Sequence, residues 1–326
     1  MVKQLELPAH LAKAIRQWRS DLTKGIHLNI RKYIRNTYDI YRHYFDPFRS
    51  HLGGIKQLIV IPDQRLAQLP FGTLAVDTLR NDRKRYPFLR KEFLFSYAHS
   101  LKTYTLIRQL ECAFSERSKV AAFAYQRGST RGQSSAIGQR KATDLPASGR
   151  VLDLLSREFS DCQLFYNSNS TRGRFTQLGQ AQQDIVHLGL HAKSTNESRH
   201  GNKIFFSASN LEDTIVGYEI VPLRLQANLV VLAACQSAAG MMRPGEGSYS
   251  LTRALFQSGV KNVVASLWNI EDEPTAAIFE YFYQHLLQGA TPAEALHRAQ
   301  SDFLKTVNRQ FYNNPTFWGL LVAYEG

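Results

Sequence analysis

The sequence predicts an α/β fold, a doubly wound and mostly parallel sheet with helices on both faces. Two apolar runs, at 185–191 and 229–235, are unbroken, as is typical of parallel strands buried on both sides. From residue 119 onward, strand patterns alternate with helical patterns, as in folds built from βαβ units. The chain has 326 residues, 44% of them hydrophobic, which is enough to bury the core of such a fold.

Residues 1–50 are predicted to form an N-terminal helical segment. Apolar residues recur there at the spacing of a helix face: Ile15, Trp18, Leu22, Ile26, Ile30 and Ile34. Asp46 and Pro47 end this pattern, because proline cannot continue a helix.

Residues 51–118 are predicted to form a smaller N-terminal α/β subdomain. Strand patterns occupy 57–62 and 93–98, and a helical pattern follows at 101–110. No catalytic pair is recognisable here, and we expect structural roles for His99 and Cys112.

Residues 119–326 carry the regular alternation and are predicted to form one domain with a six-stranded sheet. The predicted strands are 120–125, 162–166, 185–191, 229–235, 263–268 and 320–324. The predicted helices are 150–159, 172–181, 248–258, 274–287 and 292–307. We expect a small hairpin to begin at 203–209 and a surface loop rich in Gly, Ser and Arg at 126–149.

Charge and cysteine content exclude several classes of protein. The net charge is +13, but no nucleic-acid-binding motif accompanies it, so solvated helix faces explain it better than direct nucleic-acid binding. No apolar run approaches the roughly 20 residues of a membrane span, and the residues after Met1 lack the apolar core of a signal peptide, so we predict a cytoplasmic protein without membrane attachment. Three widely spaced cysteines argue against a disulfide framework and against a zinc site.

A thiol and an imidazole stand at the ends of two predicted parallel strands, Cys235 after one and His191 after the other. Open α/β sheets place their chemistry beyond the carboxyl ends of the strands. A nearby imidazole can take the proton of the thiol, which attacks as a thiolate. Small residues follow both, so the backbone N–H groups of Cys235 and Ala192 can form an oxyanion hole.

Three further residues have two interpretations each. His187 precedes His191 by four positions and could belong to a metal site, but no third ligand accompanies the pair and a hydrogen-bonded core histidine is the alternative. Asp272 follows the strand at 263–268 and could contact a basic side chain of a substrate or could cap the next helix. Glu246, in the segment after Cys235, is the second candidate for such a contact.

Several segments together resemble the CHAT family of caspase-like peptidases, which are related to separase and often fused to TPR repeats. They are LIVIPDQRLAQLPFGTLAVD, DIVHLGLHAK, NLVVLAACQSAAG, GEGSYSLTRALFQSGVKNVVASLWNIEDEPT, GATPAEALHRAQ and FWGLLVAYEG, spread over 58–326. The resemblance implies a caspase-hemoglobinase fold with His191 and Cys235 as the catalytic dyad. The sequence differs from the family at Ala192, where glycine is usual, and at Ser237, where threonine is usual.

From the residues and the resemblance we predict a cysteine endopeptidase that cleaves a protein substrate without a metal or cofactor. The alternative is a catalytically silent scaffold or regulatory module. The resemblance also implies a basic residue at the cleavage site, a separase-like pseudo-caspase origin for 51–118, and a regulatory protein or TPR module as a partner. No 34-residue repeat occurs in the chain itself, so the N-terminal helices either connect to such an array or pack on the catalytic domain.

Overall fold

The architecture is described from a computed structural model. It covers residues 8–62, 66, 69–78, 86–110, 112–125, 146–193, 202–206, 213–233, 240–243, 247–268, 272–306 and 310–326. At 146, 193, 240–243, 247–249, 272, 310 and 311 the description is of the backbone alone.

Strands and helices alternate along the described chain. The strands are β1 Gln57–Val60, β2 Leu94–Tyr97, β3 Lys119–Ala124, β4 Asp161–Tyr166, β5 Ile185–Gly189, β6 His191–Lys193, β7 Lys203–Phe205, β8 Thr214–Val216, β9 Leu229–Leu232, β10 Gly240–Arg243, β11 Gly247–Ser250, β12 Asn262–Ser266 and β13 Leu321–Glu325. The α-helices are α1 Ala9–Leu22, α2 Ile30–Tyr44, α3 Leu101–Ile107, α4 Pro146–Glu158, α5 Arg172–Gln177, α6 Gly217–Ile220, α7 Leu251–Gln257, α8 Asp272–Leu287, α9 Pro292–Thr306 and α10 Pro315–Trp318.

The main sheet has eight strands in the order β1-β2-β13-β12-β9-β5-β3-β4. Five strands, β4, β3, β5, β9 and β12, are parallel to one another. β13 is antiparallel to β12, and β2 and β1 then follow the direction of β13. The predicted α/β fold is confirmed. The sheet is larger than the six strands expected, because β1 and β2 join it through β13.

Helices cover both faces of this sheet. On β5, His187 lies beside Ala122 of β3 and forms a hydrogen bond with Tyr283 of α8. The next pair along the two strands, Phe123 and Leu188, faces the opposite side, where Phe123 contacts the ring of Phe175 in α5. Because side chains alternate along a strand, these contacts place α8 and α5 on opposite faces.

The N-terminal helices form a hairpin that packs on the segment leading to β2. Trp18 of α1 donates its indole N–H to the Tyr33 hydroxyl of α2, 3.0 Å away. That hydroxyl lies 2.7 Å from the Thr73 hydroxyl, which belongs to the short 3₁₀ turn Phe71–Thr73. All three side chains are buried, so the hairpin is part of the same core as the sheet.

Two features of the described chain differ from expectation. Gly240–Arg243 and Gly247–Ser250 pair as an antiparallel hairpin, where we expected only a turn opening the next helix. Consequently α7 begins at Leu251 rather than at 248, and the Ser250 side chain caps it by accepting from the backbone N–H of Arg253. Residues 126–145 of the expected surface loop lie outside the described residues, and 146–149, also expected in the loop, form the first turn of α4.

Candidate active site

The pairing of β5 with β9 sets the frame of the site. Leu188 is the register partner of Leu232, near the carboxyl ends of both strands. His191 follows Leu188 by three residues, and Cys235 follows Leu232 by three residues. The two strands are parallel neighbours, so both chains leave the sheet at the same edge.

His191 is held by Tyr125, the residue that follows β3. The Tyr125 hydroxyl accepts the backbone N–H of His191 at 3.0 Å and donates to the carbonyl oxygen of Phe205 at 2.5 Å. The two rings also face each other, with centroids 5.0 Å apart and planes at 34°. Tyr125 is 5% exposed, so a buried side chain fixes both the backbone and one face of the imidazole.

His191 begins a small three-stranded sheet in which β7 is central, between β6 and β8. The expected hairpin at 203–209 is confirmed at 203–205, where β7 pairs with both neighbours. On either side of β7, the Phe206 N–H donates to the carbonyl oxygen of Asp213, and the Asn202 carbonyl oxygen accepts from the Gly217 N–H. Backbone polar groups alternate in direction along a strand, so those of the even-numbered residues point towards β8. The backbone N–H and C=O groups of Lys203 and Phe205 therefore point towards β6.

This alternation determines where the backbone of β6 points. Phe205 is the partner of His191, and Ile204 is the partner of Ala192. Since Phe205 directs its polar groups at His191, the N–H of Ala192 points to the other side, away from β7. β6 is an edge strand of this sheet, and among the described residues no strand pairs with that side. The Ala192 N–H therefore points away from this small sheet.

The other predicted site residues are only partly described. Cys235 and Glu246 lie outside the described residues. Asp272 is the first residue of α8, and its side chain also lies outside the description. The strand before it, β12, is confirmed as the neighbour of β9, so α8 begins in the connection that leaves the same edge of the sheet.

His187 is a core residue. It is fully buried, and its Nδ1 lies 2.8 Å from the Tyr283 hydroxyl. Burial lowers the pKa of His187 to about 3, so the imidazole is neutral at pH 7. Over the described part of the chain, no group of three His, Cys, Asp or Glu side chains is placed to hold a metal ion.

Neither of the two described cysteines, Cys162 and Cys112, has the low thiol pKa that a nucleophile requires. Burial, with the nearby Asp161 as a smaller cause, raises the pKa of the Cys162 thiol to about 12. Burial also raises the pKa of Cys112, which accepts from the Asn262 side chain. His99 is partly buried and stacks on the ring of Tyr324, and desolvation lowers its pKa to about 4. These environments suit structural residues, since thiolate formation is suppressed at both cysteines.

Comparison with known families decides the identity of the chain. The family model for the CHAT domain matches residues 36–325, most of the sequence. The chain belongs to the CHAT domain family. No curated protein sequence matches it.

None of the described helices of this CHAT domain has the length and the hydropathy needed to cross a bilayer.

Solved structures similar to this CHAT domain are caspase-like proteases. The Saccharomyces cerevisiae separase–securin complex aligns with a TM-score of 0.53 and 11% identity over 82% of this chain. The arginine-specific cysteine proteinase gingipain R aligns with a TM-score of 0.56 and 11% identity over 97% of this chain. The alignment spans 15% of the separase chain and 74% of the gingipain chain. At these identities the likeness shows the fold.

Sequence reasoning about this CHAT domain missed Tyr125. We placed it at the end of the strand 120–125 without a role, although the same rule about strand ends applies to it as to His191. β3 is the neighbour of β5, so its last residues reach the same edge. A tyrosine hydroxyl at that position could have been included among the candidates on this ground alone.

Proposed function

We propose that this CHAT domain is a cysteine endopeptidase in which Cys235 is the nucleophile and His191 is the general base and acid. The single observation that carries the proposal is the β5–β9 register, because His191 and Cys235 each follow by three residues one member of the register pair Leu188 and Leu232. His191 takes the proton of the Cys235 thiol, and the thiolate attacks the carbonyl carbon of the scissile peptide bond. The protonated imidazole then gives its proton to the leaving amine, and water releases the acyl group from the thioester.

The negative charge that develops on the carbonyl oxygen needs donors. The N–H of Ala192 supports this role because the strand alternation directs it away from β7. We assign the second donor to the N–H of Cys235. Alanine in place of the glycine usual in the family does not remove the donor, since every residue except proline has one.

We further propose that the substrate carries a basic residue before the cleaved bond. A lysine or arginine entering a partly buried pocket loses its hydration and needs a carboxylate there. Asp272 begins α8 after β12, the neighbour of β9, and Glu246 precedes β11. The arginine specificity of gingipain R, which has a similar fold, supports this substrate class.

A protein partner for the domain is also part of the proposal. Yeast separase was solved with securin, and gingipain of Porphyromonas gingivalis was solved with its pro-domain. We infer that a protein, such as a TPR module, regulates this chain in the cytoplasm. The second candidate function is a silent regulatory module, and the following experiment distinguishes it.

Cys235→Ala and His191→Ala are each expected to lower peptide cleavage by at least about 10³-fold, because nucleophile and base act as one unit. Their thermal unfolding should match that of the native chain. Cys162→Ala is the matched control, since its thiol is held protonated by burial and should not be needed. Activity is measured on a peptide library, and labelling with a peptidyl acyloxymethyl ketone reports on Cys235 directly. A chain whose Cys235 resists labelling, with or without its partners, would be the silent module.

Asp272→Ala is expected to lower kcat/KM for peptides with a basic residue before the cleaved bond by about 10-fold or more, or about 1.4 kcal/mol. Peptides with an uncharged residue there should be cleaved as before. Glu246→Ala is tested in parallel with the same pair of substrates. Equal losses for both substrate classes would show that Asp272 only caps α8. A native preference for apolar residues would reject the acidic pocket altogether.

A further inference from the structure

A buried arginine that has no carboxylate partner among the described residues lies beneath α9. Arg90 is 7% exposed and stacks its guanidinium on the ring of Trp318, 5.1 Å from the ring centroid. Its Nη2 donates to the carbonyl oxygen of His297 at 2.8 Å and to the Ser301 hydroxyl at 3.0 Å. The Nε–H has no acceptor among the described residues. Both acceptors of Nη2 are neutral, so the positive charge is not compensated by them.

Arg90 lines a cavity of about 40 Å³ in which the described walls carry no acidic side chain. Burial lowers the pKa of Arg90 to about 10, which still leaves it protonated at pH 7. His297 also lines the cavity, and burial is the main reason that its pKa falls to about 4, so it is neutral and can donate one N–H. An unpaired buried cation is costly, and an anion placed beside it would recover much of that cost.

Two glycines in the wall of the cavity lie in close contact with neighbouring segments. A methyl group added at Gly72 would lie 3.2 Å from Cβ of Arg90, and one added at Gly319 would lie 2.5 Å from a methyl carbon of Thr73. Three of the segments that carry the family resemblance meet here, contributing Gly72, Gln300 and Gly319 to the wall. Gln300, on the same helix as His297 and Ser301, donates to the carbonyl oxygens of Trp318 and Leu321 and so ties α9 to the last segment of the chain.

We propose that this cavity is a binding site for a carboxylate, with the Arg90 guanidinium as its counter-ion. A carboxylate oxygen can accept the Nε–H, which has no acceptor among the described residues, and its negative charge would offset the positive charge of the guanidinium. The volume of the cavity suits a small carboxylate. A water-sized group needs about 10–15 Å³, so the cavity holds roughly three or four heavy atoms, as in formate or acetate. The carboxylate can come from a small free acid or from the end of a peptide that enters the cavity.

The site lies beside β13, which is two strands from β9, at the level where β12 ends. Leu321, another residue of the wall, is the register partner of Ser266, the last residue of β12. Trp268, just beyond it, donates its indole N–H to the carbonyl oxygen of Thr316, close in sequence to Trp318. A bound carboxylate would therefore stabilise the segment that supports the end of β12.

The test is a titration of the isotopically labelled chain with acetate at constant ionic strength, following the Nε–H resonance of Arg90 by NMR. A saturable shift is expected. Arg90→Met, which keeps most of the buried volume, should weaken acetate binding at least 10-fold by calorimetry. Arg298→Gln is the matched control, since it removes an exposed cation from the same helix. A shift that rises without saturation in the native chain, or undiminished binding in Arg90→Met, would overturn the proposal.

Two peptides distinguish the sources of the carboxylate. Acetyl-trialanine with a free C-terminus is compared with the same peptide as a C-terminal amide. If the free-acid peptide binds more tightly than acetate and the amide peptide does not bind, the site is assigned to a peptide C-terminus. Equal affinity for acetate and the free acid assigns it to small acids. The titration needs no peptidase activity, so its outcome is independent of the function proposed for Cys235.

Discussion

At the scale of single residues, Tyr125 is the side chain that most directly controls the candidate base. Its hydroxyl stands between the facing backbone groups of His191 and Phe205, and its ring covers the imidazole. If His191 acts as proposed, Tyr125 is a positioning residue for it. The effect on catalysis would be transmitted through the orientation of the imidazole.

We expect Tyr125→Phe to lower kcat by about 2- to 10-fold, the size of a lost neutral hydrogen bond, while KM changes little. The ring remains and still covers the imidazole, so the loss isolates the hydroxyl. Steady-state kinetics measure the effect, and Tyr281→Phe, which removes an exposed hydroxyl bonded to Thr306, is the control. A rise in KM at unchanged kcat would contradict the positioning role.

The residues of the site could be predicted from sequence to different extents. His191 and Cys235 stand out because each ends an unbroken apolar run and is followed by small residues. Arg90 could not be found, because its burial depends on contacts with Trp318 and His297, more than 200 positions away. Nothing in the local pattern of NDRKRYPFLRK distinguishes that arginine from the exposed cations of a loop.

At the scale of elements, a buried hydroxyl joins the N-terminal hairpin to the rest of the fold. Tyr33 is fully buried and links Trp18 of α1 to Thr73 of the turn before β2. Burial raises the pKa of Tyr33 well above its usual range, so the hydroxyl stays protonated and can both donate and accept. The hairpin was one of two arrangements that the sequence left open, and the described contacts are those of a packed hairpin.

Tyr33→Phe is expected to lower the free energy of unfolding by about 1–3 kcal/mol, because the indole N–H of Trp18 loses its acceptor in the core. Urea denaturation provides the measurement. Tyr38→Phe, a half-buried change on the same helix, should cost much less. If the two variants were equally stable, the link through Tyr33 would not hold the hairpin in place.

Element order was predictable where apolar periodicity was strong, and pairing was not. The patterns at 120–125, 185–191 and 263–268 gave strands close to β3, β5 and β12. The hairpin of β10 and β11 escaped notice because Gly240–Arg243 and Gly247–Ser250 are short and rich in polar or small residues. The entry of β1 and β2 into the main sheet depends on a partner, β13, that lies at the far end of the sequence.

At the scale of the whole molecule, two histidines whose pKa values are lowered by desolvation make the free energy of unfolding depend on pH. Burial lowers the pKa of His187 to about 3 and that of His99 to about 4, against 6.5 in the unfolded chain. Below pH 6.5 the unfolded chain binds protons at these histidines and the folded chain does not. The contribution of the neutral histidines to the free energy of unfolding is therefore fully present above that pH and is lost as the pH falls. The affected window runs from about pH 6.5 down to these folded-state values.

The free energy of unfolding is therefore expected to fall between pH 6.5 and pH 5, by up to about 1.4 kcal/mol per pH unit for each histidine. Urea denaturation at several pH values measures the slope. If the variant folds, His187→Gln should reduce that slope by up to about 1.4 kcal/mol per pH unit, which corresponds to one proton. His99→Gln provides a second, independent test. A stability that does not change over this window would mean that both imidazoles can be protonated inside the fold.

The position of β13 determines when the fold can be completed during synthesis. This strand lies between β12 and β2, so β1 and β2 have no connection to the parallel strands until residues 321–325 have been made. Roughly 220 residues separate β2 from β13, so at about 5–20 residues per second the early strands wait on the order of 10–45 s for their partner. A two-stranded unit is at best marginally stable alone. The nascent chain therefore carries unpaired strand edges while the segment between β2 and β13 is made, and this is the period in which a ribosome-associated chaperone would have its strongest effect on yield.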